Sequence, residues 1–207
     1  MMSGATVGST ASPPRLANDA DVRPYIVKTY DRWIILAIVL IGGWFLFRPL
    51  FAFAVYYRGV SFEHMLTFKP AEHYYRKAIG VDPRVPEGWQ GLGELWLWTL
   101  GPVSLPSSYR DATQIFRTGL TYNPKSGALA FDLCRATYEI GKDYAQARDA
   151  CELATRNWPS NAFTWDYAGW ANLRLGNKEK AVAFWREAVK HGHLGAQRYI
   201  EQVSGGL

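Results

Sequence analysis

Four histidines and two cysteines are the side chains of this 207-residue chain best suited to ligate a metal or act as nucleophiles: His64, His73, His191, His193, Cys134 and Cys151. Only His191-Gly192-His193 brings two of them close in sequence. No carboxylate or thiol clusters with that pair as a zinc site requires. A charged histidine near a helix C-terminus meets the negative end of the helix dipole, which accounts for the pair without a metal. There is no glycine-rich phosphate loop, nucleophile elbow or zincin motif in the chain. The reading is a non-enzyme, with no catalytic residue, no metal and no cofactor expected.

Composition leaves room for a folded core. The chain is 48% hydrophobic and 20% charged with nine Trp, which excludes a disordered tail and a collagen-like chain. Two cysteines are too few for a disulfide-stapled miniprotein. Net charge is +5, from 23 basic and 18 acidic residues. No run of like charge reaches the length of a nucleic-acid tail, so nucleic-acid binding is not expected.

Residues 1–32 read as a flexible tail, rich in Gly, Ser, Thr, Ala and Pro up to Pro24. Trp33 to Phe47 then carries no charge, and extending it through Arg48 to Tyr57 gives a run long enough to span a bilayer with some tilt. Residues 33–57 are therefore expected to form a single transmembrane helix. Trp33 and Tyr56-Tyr57 fit the two aromatic belts, and Arg48 snorkels or faces protein. Ala52-Phe53-Ala54 has the form of a signal-peptidase site, but the leader would be far too long, so the helix reads as an uncleaved anchor. Arg15, Arg23, Lys28 and Arg32 precede it and Arg58, Lys69, Arg76 and Lys77 follow, a balance that does not orient it. A short tail before a first apolar helix commonly serves as an export anchor. On that ground the bulk of the chain is placed on the non-cytoplasmic, periplasmic side.

The remainder, residues 58–207, repeats. Ala71, Ala112, Ala147 and Ala181 are spaced 41, 35 and 34 apart. Tyr75, Phe116, Cys151 and Trp185 keep those intervals, as do Ala78, Gly119, Ala154 and Ala188. Pro83, Pro124 and Pro159 keep the first two. Upstream, Trp89, Ala130 and Trp165 align, followed by Leu92-Gly93, Leu133-Cys134 and Ala168-Gly169. The unit is about 34 residues, with a longer turn at Gly101 to Ser108 and one extra residue near Gly141 to Asp143. Apolar residues recur at three and four within each unit, and Gly176-Asn177 separates two such stripes, so the unit is a helical hairpin. One hairpin cannot bury its own apolar face, so the repeats must stack into an all-α solenoid.

At these residues the chain resembles the tetratricopeptide repeat (TPR) family. The pattern Trp-x2-Leu-Gly-x2-aromatic, then Ala-x3-aromatic-x2-Ala-x4-Pro, runs almost whole from Trp89 to Pro124 and again from Trp165 to Ala188. The likeness covers about Phe68 to Lys190 and implies three to three-and-a-half hairpins, with Leu194 to Val203 as a capping helix. Cys134 stands where the pattern has Gly. The first unit lacks a recognisable first helix, which the chain between Phe51 and Met65 is expected to supply.

The resemblance implies a protein-binding scaffold whose inner face, lined by the first helix of each hairpin, holds a partner segment. The residues it assigns to that groove are Gln90, Glu94 and Trp98, then Phe131, Arg135 and Tyr138, then Asp166, Trp170 and Arg174. Members that clamp a C-terminal carboxylate use Lys, Asn and Arg there, and Glu94, Gln90 and Asp166 do not fit that use. The expected role is a membrane-tethered adaptor for other proteins, among them membrane or envelope complex subunits, with the lipid bilayer as the second partner. A different reading is a stoichiometric subunit of a membrane complex, with Gly42, Gly43 and Arg48 packing its helix against others. Cys134 and Cys151 fall on the two helices of one hairpin and are a possible disulfide, though Cys134 also serves as a small apolar residue in place of glycine.

Overall fold

The computed structural model describes residues 19–97 and 106–205. The described residues are helical throughout their regular structure, without strands. Contacts divide the chain into two units, Met1–Phe45 and Leu46–Leu207.

The first unit is the beginning of helix α1, Asp19–His64. This helix starts inside the stretch read as a tail and ends beyond Tyr57. Extending a formed helix adds a hydrogen bond for each residue ordered, so an apolar run draws its polar flanks into helix. By length and composition this one helix is apolar enough to cross a membrane. The run Trp33–Phe47 is exposed, and the space beside Gly42 and Gly43 is open.

The second unit is a stack of helical hairpins. Its helices are the end of α1, then α2 (Phe68–Val81), α3 (Pro86–Leu95), α4 (Pro106–Tyr122), α5 (Gly127–Arg135), α6 (Tyr144–Asn157), α7 (Ala162–Arg174), α8 (Lys178–Lys190) and α9 (Ala196–Ser204). Paired in order, α1 with α2, α3 with α4, α5 with α6 and α7 with α8, they make four hairpins, and α9 covers the last.

The repeat columns are the core. Ala71, Ala112, Ala147 and Ala181 are fully buried, and so are Tyr75, Phe116, Cys151 and Trp185. Small residues opposite the large ones set how closely two helices approach. A Cβ added at Gly59 would lie 2.6 Å from Tyr75, and one at Gly169 would lie 2.5 Å from Trp185; Gly93 meets Phe116 in the same way. Gly59 therefore belongs to the column of Gly93, Cys134 and Gly169, and the end of α1 is the missing first helix of the first hairpin. Tyr56 stacks on Tyr75 at 5.6 Å and Phe62 on Tyr74 at 5.2 Å, which fastens it.

In the third hairpin the glycine–aromatic pair is replaced by Cys134 and Cys151, joined as a disulfide with their Cα atoms 4.8 Å apart. Two medium side chains in a covalent bond fill the space that glycine and a ring fill elsewhere. The extra residue of this repeat is absorbed in a π-helical turn, Ala136–Gly141, and Lys142 leaves it with a left-handed φ of 50°. π-bulges of this kind place one more residue on a helix face than the α-helix allows.

Hydrogen bonds between repeats use the proline column. The indole N–H of Trp89 donates to the Pro83 carbonyl at 2.9 Å and that of Trp165 to the Pro159 carbonyl at 2.7 Å. In the middle repeat Ala130 has no such donor, and the Asn157 amide supplies one to the Pro124 carbonyl at 2.9 Å.

Arg48 takes a place the sequence reading did not give it. Its Nε donates to the Val81 carbonyl at the end of α2. The guanidinium therefore satisfies a helix C-terminus within the solenoid. Beside it Asp82 is fully buried, and the hydrogen bond from Arg84, at 2.8 Å, holds its carboxyl below the usual range.

Candidate functional site

The first helices of the hairpins present one face that is not used for stacking. Helices α5 to α7 build its best-defined part. The π-turn carries Tyr138 and Glu139 outward against α7, and there Tyr138, Glu139, Asp166, Tyr167, Trp170 and Arg174 line an open cavity of ≈ 280 Å³. Four of the expected groove residues, Tyr138, Asp166, Trp170 and Arg174, are thus brought together.

The aromatic rings form a connected wall. Phe131 meets Tyr167 edge-on at 5.6 Å, and Tyr138 meets Tyr167 at 5.8 Å and Tyr144 at 5.5 Å. Arg135 lies 5.8 Å over the Phe131 ring and Arg174 5.7 Å over Tyr144. The Tyr167 hydroxyl donates to a Glu139 carboxylate oxygen. Burial and that acceptor together raise the Tyr167 pKa, so it stays a neutral donor.

Trp170 has two roles. Its ring packs on Tyr199 of α9 at 4.7 Å and on Trp185 at 5.1 Å, so it is a core residue as well as a cavity wall. The sequence reading assigned it to the groove. A capping helix needs an apolar surface to sit on, and Trp170 and the buried Trp185 supply it together with Leu173, Ala188 and Val189.

Asp166 is only 8% exposed although it lines the cavity. One of its oxygens is 3.5 Å from His193 Nε2, and Oδ1 has no hydrogen-bond partner. Burial raises its pKa, opposed by His193 and by the Trp185 indole, whose N–H is itself without a partner of normal geometry. Phe163, 55% exposed and 5.4 Å from the His193 ring, stands at the same end of the face.

Towards α3 the face becomes more acidic. Glu94 is half-buried, and desolvation raises its pKa against the pull of Arg135. Asp132, 3% exposed, is pushed up to about 7 by burial first and then by Glu94, against Arg135 and a hydrogen bond from Gln90. Its Oδ2 has no hydrogen-bond partner. Gln90, Glu94 and Arg135 thus act on one buried carboxyl that the sequence reading did not single out. Trp98 lies outside the described residues.

Sequence reasoning missed Tyr167, Asp132 and Phe163 on this face. Asp132 and Tyr167 hold the same position in consecutive repeats, each two residues before the helix-packing pair Cys134 and Gly169. Two polar residues in a column that holds Gly91 in the repeat before were the available signal. Among the described residues no group of three or more His, Cys, Asp or Glu is placed to hold a metal.

No protein-family model and no curated protein matches the sequence. Solved structures do resemble it. MamA of Desulfovibrio magneticus RS-1 superposes with a TM-score of 0.59 at 17% identity, over 73% of this chain and 82% of that one. PilF of Pseudomonas aeruginosa gives 0.62 at 14% identity, over 75% and 68%. A thermophilic TPR protein of Thermus thermophilus gives 0.57 at 15% identity, over 89% and 95%. At such identities the likeness is one of architecture, and it agrees with the buried repeat columns: the helical stack has a tetratricopeptide-type fold.

Proposed function

We propose that this protein is a membrane-tethered interaction scaffold that holds or assembles a multiprotein complex at a membrane. The observation that carries the reading is the aromatic and charged cavity lined by Tyr138, Glu139, Asp166, Tyr167, Trp170 and Arg174. Tyrosine, tryptophan and arginine are the side chains that supply most binding energy in protein interfaces. The work done is binding, with no bond made or broken. The exposed apolar run Trp33–Phe47 supports the anchor, which confines the groove to the bilayer and raises the effective concentration of partners held there. The bond between Cys134 and Cys151 supports a non-cytoplasmic, periplasmic array, because disulfides persist in oxidising compartments.

The test is co-purification of C-terminally tagged protein in mild detergent, comparing wild type with a Tyr138→Ala, Phe163→Ala double variant whose helix content is checked by circular dichroism. Loss of partners with the fold intact supports the scaffold. Full retention overturns the groove as the binding surface.

A second reading, a stoichiometric structural subunit, draws support from the open space beside Gly42 and Gly43, where another helix can approach closely. It requires that exchanging residues 33–47 for an unrelated spanning sequence release the protein from its complex while groove substitutions leave it bound.

A further inference from the structure

We infer that the groove binds a partner segment presenting lysine or arginine beside an apolar side chain; this rests on the groove reading above and adds the chemical class of the occupant. The chain as a whole is basic, at +5, yet its inner face is not. Glu94, Asp132, Glu139 and Asp166 lie on or under that face, against the two guanidiniums of Arg135 and Arg174. Both arginines are already seated over rings, at 5.8 and 5.7 Å.

Two of the carboxylates are deeply buried and each has an oxygen without a hydrogen-bond donor: Asp166 Oδ1, on a residue that lines the cavity, and Asp132 Oδ2. A cation seated in the cavity beside Glu139 and Asp166 interacts with both across a poorly solvated space, where a charge-assisted contact is stronger than a neutral one. Burial is the first cause of the raised pKa of Glu94, Asp132 and Asp166, so a cation brought beside them would favour their charged forms. The walls complete the fit. Tyr138, Tyr167 and Trp170 offer ring faces on which a cation and its aliphatic stem can lie. An acidic segment would set like charges against Glu139 and Asp166.

The experiment is a random peptide library displayed on phage and panned against the full chain in lipid nanodiscs. Recovered peptides are then synthesised with a fluorophore and titrated by anisotropy. Lys and Arg should be enriched over Asp and Glu. Glu139→Lys should weaken the recovered peptides by about tenfold, equivalent to the loss of one ion pair, and Arg174→Glu should tighten them. Both residues are exposed, so neither change opens the core. Circular dichroism verifies each variant, and Glu139→Gln, expected to weaken less, stands in if the reversal unfolds the chain. Peptides whose binding depends on Tyr138 and Phe163 but which are acidic or neutral overturn the charge assignment and leave the groove standing. If no recovered peptide depends on those two residues, the groove reading itself fails and this one with it.

Discussion

At the scale of single residues, the cysteine pair and the buried aspartate make opposite contributions. Cys134 and Cys151 take the place of a glycine and an aromatic ring, and a cross-link 17 residues apart narrows the unfolded ensemble. Reduction should lower stability by about 2–3 kcal/mol, read from urea unfolding with and without dithiothreitol. A Cys134→Gly, Cys151→Phe pair, copying Gly93 and Phe116, should unfold at the same urea concentration with or without reductant. Asp132 works the other way. Its folded pKa, about 7, is raised above the ordinary carboxylate value, so the folded state holds a proton that the unfolded chain has released. Below about pH 4 both states are protonated and the residue is neutral to stability. Between there and about pH 7 its penalty grows, and above pH 7 it is complete. The groups that set it are Glu94 and Gln90 from α3 and Arg135 on its own helix. Asp132→Asn should therefore stabilise the protein by on the order of 2 kcal/mol at pH 8 and by little at pH 4. Thermal unfolding at the two pH values measures it, and an equal effect at both would show that packing, not ionisation, is at stake.

At the scale of the element, the informative helix is the end of α1. Its apolar composition made residues 51–57 read as membrane span, yet Gly59 packs on Tyr75 as Gly93 packs on Phe116 and Gly169 on Trp185. Gly59→Leu should cost about 1–3 kcal/mol by driving a side chain into the Tyr75 ring. Gly42→Leu, in open space, should leave unfolding unchanged. Equal tolerance at both would mean that α1 does not close the first hairpin. The pattern Ala71 to Ala78 and its three successors was legible because close helix packing demands small residues at fixed intervals, and every one of those alanines is buried. The first helix was legible as a place, between Phe51 and Met65, but not in its register, since Val55 stands where Trp89 and Trp165 stand and a lipid-like run hides a packing face. Half of the groove was legible for a similar reason. Positions of Tyr138, Arg174 and Trp170 follow from the hairpin register. The neighbours that complete the site, Tyr167 and Asp132, depend on a π-turn and on burial that no spacing reveals.

At the scale of the whole molecule, the division at Phe45 separates two kinds of stability. The Leu46–Leu207 unit draws on the stacked columns, on the indole-to-proline hydrogen bonds and on Arg48 at the end of α2. In a solenoid each repeat leans on its neighbours, so losing one helix of the terminal hairpin uncovers the face of the next. Removing residues 1–45 takes away the apolar run before Arg48 and keeps Arg48, Tyr56 and Gly59. That truncation should leave the membrane fraction and keep a cooperative unfolding transition near that of the full chain. Removing residues 1–64 also takes Arg48, Ala52, Tyr56 and Gly59, exposing Tyr75 and the apolar face of α2. This longer truncation should aggregate or melt at markedly lower temperature, although it cuts only within the same continuous helix. Fractionation and calorimetry on the pair separate the two roles of α1. If both truncations remain in the membrane fraction, the apolar run is not the anchor. If both melt alike, the first hairpin ends at α2 and the register through Gly59 is coincidence.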